Sequence, residues 1–235
     1  MQFKNFATAA AASEHVAQEI LSALQAQPQL NLGLATGSTP VLLYQYLAAA
    51  SCQSKTSWAQ VQTFNLDEYL GLPLDHPQTY HVFMHDHLFS KVDLAPERTH
   101  FPGPTGDYDQ LIAAAGGIDL QILGIGTNGH IGFNEPGSPL DSLTRPVALA
   151  PETIAVNAAK FFAGATALVP TQAVSMGIAS ILRAKRIVLL AFGAAKRAVV
   201  ARLKTVQTFE VDFPASALVL HPDVTIITDT EANPQ

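Results

Sequence analysis

The stretch Ile118-Asp119-Leu120-Gln121-Ile122-Leu123-Gly124-Ile125-Gly126-Thr127-Asn128-Gly129-His130-Ile131-Gly132-Phe133-Asn134-Glu135-Pro136-Gly137 decides how this chain is read. Its first six residues are short, largely apolar and followed by glycine, the mark of a strand. Directly after them comes G-x-G-x-x-G, the spacing of a dinucleotide-binding turn. That fingerprint requires its last glycine to open a helix. Here Gly129 is followed by Gly132, Pro136 and Gly137, a poor sequence for a helix. The segment is a strand that runs into a polar, glycine-rich loop, and nicotinamide binding is set aside.

The same pattern recurs on either side. Residues 30–35 form a short apolar strand ending in the turn Thr36-Gly37-Ser38-Thr39, and residues 40–50 read as a helix. Residues 61–66 are a strand, and Asp67-Glu68-Tyr69 falls in the loop after it. Residues 186–192 are a strand followed by Gly193-Ala194-Ala195-Lys196 and a helix over 194–204. Helical composition also covers 8–26, 77–90, 107–115 and 171–182, while 218–220 and 224–227 read as short closing strands. Apolar strands alternating with helices predict an α/β fold: a doubly wound, mostly parallel sheet with helices on both faces. Such sheets bind ligands at the carboxyl ends of their strands. No repeat or linker divides the chain, so residues 1–235 are expected to form a single domain.

Composition narrows the function. The chain has 235 residues, 48% hydrophobic and only 14% charged, with a net charge of -6. That balance supports a large core and excludes bulk disorder. An acidic chain lacks the basic face of a general nucleic-acid binder, and an anionic ligand would need locally gathered donors. One cysteine, Cys52, excludes an internal disulfide and a cysteine-rich zinc site. The alanine-rich run 6–12 is a weak secretory signal, and no apolar stretch approaches the ~20 residues of a membrane span. A cytoplasmic protein without membrane or nucleic-acid partners is expected.

Four constellations carry possible chemistry. The Thr36–Thr39 turn offers hydroxyls and a helix terminus, with Thr39 suited to N-cap and Pro40 to the first helical position; it reads either as an anion site or as an ordinary helix start. Of the adjacent Asp67 and Glu68, both are unlikely to enter the core, and one facing a cleft would become a general base; a solvated loop pair is the plain alternative. His130 lies close in sequence to Asn128 and Glu135, an arrangement suited to moving protons near neutral pH. Lys196, in a first helical turn, opposes the helix dipole and so favours an anion-binding role, while Lys160 reads equally as a surface lysine. His81 and His85 have metal-pair spacing, but Val82 stands where the zinc-protease glutamate would be, so no metal is expected.

Taken together and in order, residues 34–40, 64–69, 124–136 and 193–196 resemble the glucosamine-6-phosphate deaminase family, with the likeness running from Leu32 to about His221. The resemblance implies a modified Rossmann-like fold, a sugar-phosphate substrate and no cofactor. It implies Asp67 as the base of the C2-to-C1 proton transfer, and His130 as the ring-opening residue supported by Asn128 and Glu135. Thr36, Gly37, Ser38, Thr39 and Lys196 are implied at the substrate phosphate, with Lys160 where some members carry arginine. Some longer members are hexamers with an effector site; here Val147 stands where a lysine would help beside Arg145, and the chain stops at Gln235. An enzyme without that switch is expected, and monomer or homo-oligomer stays open. Two alternatives are a 6-phosphogluconolactonase-like hydrolase and a non-catalytic sugar-phosphate sensor. The stretches 67–72 and 133–136 favour the deaminase over the first, and retention of Asp67, His130 and Glu135 speaks against the second.

Overall fold

Seven parallel strands carry the architecture of the computed structural model, which describes residues 1–162 and 164–234. In spatial order they are β1 (Gln2–Phe6), β10 (Val224–Asp229), β9 (Arg186–Ala191), β6 (Leu120–Gly124), β2 (Asn31–Leu34), β3 (Gln62–Asn65) and β5 (Thr99–His100). From β2 the chain builds outward through β3 to β5; from β6 it builds the other way through β9 and β10. The boundary between β2 and β6 is therefore the switch point at which an α/β sheet opens a crevice.

Alternation along each strand feeds two cores. Ile122, Val188 and Leu190 face α1 (Ala9–Ala26), α2 (Val41–Ser54) and α3 (Tyr80–His87). Leu123, Ile187 and Leu189 face α4 (Tyr108–Ala114), α6 (Ile178–Leu182) and α7 (Arg197–Thr205). Helix α1 shows how sequence produces this. Ala12, Val16, Ile20 and Leu24 recur every fourth residue and are all buried, while the Thr8 hydroxyl caps the start by accepting from the Ala11 N–H at 3.1 Å. Truncating Ile122, fully buried in the central strand, to alanine is expected to cost about 2–5 kcal/mol.

A second, antiparallel sheet of three strands stands beside the first: β4 (Asp67–Tyr69), β8 (Gln172–Ser175) and β7 (Arg145–Ala148). Helix α5 (Pro151–Phe161) lies between β7 and β8 in the chain, with Ile154 packed on Tyr69, Phe133, Leu149 and Ala173. Leu66 is the pivot between the sheets. Its N–H donates to Leu34 O at 3.2 Å in the large sheet, and its carbonyl accepts from Met176 N–H at 2.7 Å in the small one.

The structure corrects several readings. Asp67–Tyr69 is a strand, not a loop, because β8 supplies it with a ladder. Residues 171–182 are not one helix: Gln172–Ser175 is strand, and only Ile178–Leu182 is helical after Gly177. The strand expected at 218–220 belongs to a 3-10 segment, Pro214–Leu220, since a short buried apolar run does not reveal its own conformation. Pro40, rather than Thr39, is the N-cap of α2, and no side chain caps it. Strands β1, β5 and β7 escaped the sequence reading.

Candidate active site

The carboxyl ends of β9, β6, β2 and β3 are neighbours on one edge of the sheet. The loop leaving β6 is wound tightly: Gly126 N–H donates to His130 O at 2.9 Å and Gly129 N–H to Gly126 O at 3.0 Å. A Cβ at Gly126 would stand 2.2–2.5 Å from atoms of the His130 ring, and one at Gly129 2.1 Å from Phe213. At Gly126 and Gly129 the absence of a side chain lets a histidine ring and a phenylalanine ring lie against bare backbone.

That winding brings three of the expected side chains together. His130 Nδ1 lies 3.4 Å from Glu135 Oε2, an ion-pair distance without hydrogen-bond geometry. Asn128 donates from Nδ2 to the same Oε2 at 2.7 Å and accepts from the His130 N–H at 3.2 Å. On its other oxygen Glu135 accepts from the Thr153 hydroxyl. Burial pushes the Glu135 carboxyl up, but the His130 imidazole, the Thr153 hydroxyl and the Asn128 amide outweigh it and hold the pKa down at about 2. Glu135 is a fixed anion beside the imidazole.

Asp67 is the opposite case. It is 6% exposed, and burial, with a smaller push from the Glu68 charge, raises its pKa to about 8. Its Oδ2 stands 3.4 Å from where a Cβ at Gly132 would be, with the Ser175 hydroxyl at 3.1 Å from the same point. The carboxyl therefore lies against the His130 loop. Glu68 is also buried, contrary to the expectation that only one of the pair would be. Four donors make that possible, among them the N–H groups of Tyr80 and His81 in the first turn of α3.

The remaining expected residues are distributed around this centre. Gly37 takes φ +96°, turning the chain between Thr36 and an exposed Ser38. Gly37 and Ser38 line a pocket of about 330 Å³ shared with Tyr69 and Tyr80, and the Tyr80 hydroxyl bonds to Thr36. Asp67, His130 and Glu135 do not line that pocket. Lys196 reaches the centre by donating from Nζ to Ile125 O at 2.6 Å, which ties the end of β9 to the His130 loop. Lys160 is carried on α5, and its side chain lies outside the described residues. His81 and His85 diverge: the first pairs with Glu68, and the second is exposed beside Asp86.

Sequence reasoning missed Thr153, Ser175 and Tyr80. Thr153 sits on another element with nothing local to mark it, and Ser175 fell in a segment read as helix. Tyr80 was not singled out from the helix at 77–90. Among the described residues, no group of three or more His, Cys, Asp or Glu forms a metal cluster, and no helix is long and apolar enough to cross a membrane.

The family described as glucosamine-6-phosphate isomerases/6-phosphogluconolactonase matches residues 4–227. The chain is 48% identical over 223 residues to the glucosamine-6-phosphate deaminase of Lysinibacillus sphaericus (strain C3-41), covering 92% of this chain and 93% of that protein. It is 47% identical over 220 residues to glucosamine-6-phosphate deaminase 2 of Bacillus subtilis (strain 168), covering 89% and 87%. The solved structure of a monomeric glucosamine-6-phosphate deaminase matches with a TM-score of 0.94 at 40% identity, covering 99% and 98%. A 6-phosphogluconolactonase from Trypanosoma cruzi, 19% identical with a TM-score of 0.77, shares the fold across 98% of this chain and 95% of its own.

Proposed function

This chain belongs to the family of glucosamine-6-phosphate isomerases and 6-phosphogluconolactonases, and on that footing we propose that it converts glucosamine 6-phosphate and water to fructose 6-phosphate and ammonia. The observation that carries the reading is the Asp67 carboxyl lying against Gly132 of the loop that holds His130, Glu135 and Asn128.

The chemistry assigns one proton-transfer task to each side of that contact. Ring opening moves a proton from the anomeric hydroxyl to the ring oxygen, which suits an imidazole that can both accept and donate. Glu135, held ionised, orients His130 and stabilises it when it carries the extra proton; Asn128 fixes both. The open-chain aldehyde then acidifies the C2 hydrogen. Asp67 takes that proton and returns it to C1, leaving an imine at C2 that water hydrolyses to the ketone with loss of ammonia. A carboxylate with its pKa raised to about 8 is a far better base for a carbon acid than an ordinary one.

The phosphate belongs at the Thr36–Thr39 turn with Lys196 as its cation. Binding there orients the sugar and does no chemistry itself. A place in cytoplasmic amino-sugar catabolism fits a phosphorylated substrate that does not cross membranes. Supplying glucosamine 6-phosphate tests the reading: ammonia and fructose 6-phosphate should appear together. Hydrolysis of 6-phosphogluconolactone without ammonia release from the amino sugar would transfer the chain to the hydrolase branch.

A further inference from the structure

Asp67 and Glu68 are consecutive on β4, so their side chains leave opposite faces of the strand. Asp67 meets the His130 loop, whereas Glu68 meets the first turn of α3. There Oε1 accepts from the N–H groups of Tyr69 at 2.8 Å and Tyr80 at 3.0 Å. Oε2 accepts from the His81 N–H at 3.0 Å and from Nδ1 of the His81 imidazole at 2.7 Å. Each Glu68 oxygen thus has two hydrogen-bond partners, and three of the four are backbone N–H donors. With its Nδ1 as donor, His81 completes a set of four hydrogen bonds to the Glu68 carboxylate. The ring also lies on Phe101 with centroids 3.7 Å apart, which fixes its plane.

From this geometry we propose that His81 is a positioning residue for Asp67 that acts through Glu68: it holds the Glu68 carboxylate on the far face of β4 and offsets its charge, limiting the repulsion Asp67 feels when it ionises. The proposal rests on Asp67 being the base. Other titratable groups facing the two carboxylates are Tyr69 on β4, Tyr80 on α3 and Tyr108 on α4, all kept neutral by burial. Strand β8 presents Ala173, Val174 and Ser175, none charged, and the loop meets Asp67 with Gly132 while His130 turns Nδ1 to Glu135. His85 and Asp86 are exposed further along α3 and meet each other. Among the described residues, His81 is the titratable side chain bonded to Glu68.

The test is the acid limb of kcat/KM against pH for the parent and three variants. His81→Phe keeps a ring for the Phe101 stack but removes the donor and any positive charge; its limb should move up by about half a pH unit or more. His81→Gln restores a donor without the charge and should fall between. Glu68→Gln removes the repelling charge itself and should move the limb down. The substrate ammonium titrates in every variant alike and cancels in the differences. A merely structural role would lower the whole profile and leave the limb in place. If Glu68→Gln does not fold, the two His81 variants decide alone. A His81→Phe limb coincident with the parent's overturns the proposal. With Asp67→Asn inactive, that result removes His81 and leaves the base intact; Asp67→Asn turning over at the parent rate removes the base assignment itself.

Discussion

Asp67 and Glu135 are two carboxylates at the mouth of one sheet, the first buried and the second half-buried, and their surroundings drive them in opposite directions. Asp67 sits on a strand between sheets, with burial and the Glu68 charge pushing it up to about 8. Glu135 sits in a loop among an imidazole, a hydroxyl and an amide that pull it down to about 2. The difference is one of donors as well as depth. A carboxylate offered hydrogen bonds stays ionised, and one denied them holds its proton until the pH rises. Asp67 has the raised pKa that its proposed role as base calls for; Glu135 is a fixed charge beside a histidine.

The sharpest way to break this contrast is to neutralise each acid in turn. Asp67→Asn should lower kcat by about 10²–10⁴ while KM stays within a few-fold, since the amide fills the space but takes no proton. Gly126→Ala comes next. Its methyl group would overlap the His130 ring, so kcat should fall even if the fold survives, and Gly126→Ser should do no better. Glu135→Gln should reduce kcat by a smaller factor, because His130 keeps its place through Asn128 but loses the charge beside it.

Stability should separate the two acids by sign. Asp67's folded pKa lies above its ordinary 3.8, so its contribution is fully present below about 4 and is lost as pH rises toward 8. Asp67→Asn should therefore melt higher than the parent at pH 9, by about 2–4 °C for each kcal/mol relieved, and match it near pH 4. Glu135's folded pKa lies below its ordinary 4.5, so its contribution is present above 4.5 and is lost as pH falls toward 2. Glu135→Gln should melt lower than the parent at pH 7, with the gap closing in acid. Melting temperatures of both variants at the three pH values check this, and two shifts of the same sign would refute it. The smallest effect expected is none: N-acetylglucosamine 6-phosphate should leave the saturation curve unchanged, and a sigmoidal curve made hyperbolic by it would contradict that.

The same two regions show what a sequence makes legible. The large sheet could be read because its strands are continuous apolar runs and its helices keep their spacing, as in β6, β9 and α1. The constellation of Asn128, His130 and Glu135 could be read because eight residues hold all three. Strand β4 could not, since Asp67-Glu68-Tyr69 has no strand signature of its own and is extended only because β8 pairs with it from over a hundred residues away. Nor could Glu68's burial be foreseen, because three of its four donors come from Tyr80 and His81 in the first turn of α3 and not from its neighbours in sequence. Thr153 was hidden for the same reason. The residues after Gly124 were read as a loop, as they are, but only the contacts of Gly126 and Gly129 explain why glycine stands at those two positions.

The central claim is that Asp67 moves the proton that makes deamination possible. It is tested most directly by following ammonia and fructose 6-phosphate from glucosamine 6-phosphate with the parent and with Asp67→Asn at pH 8. The account predicts equal amounts of the two products from the parent and a rate at least a hundredfold lower, about the minimum for losing a general base, from a folded variant that still binds substrate. Ammonia release by Asp67→Asn at the parent's rate would contradict it.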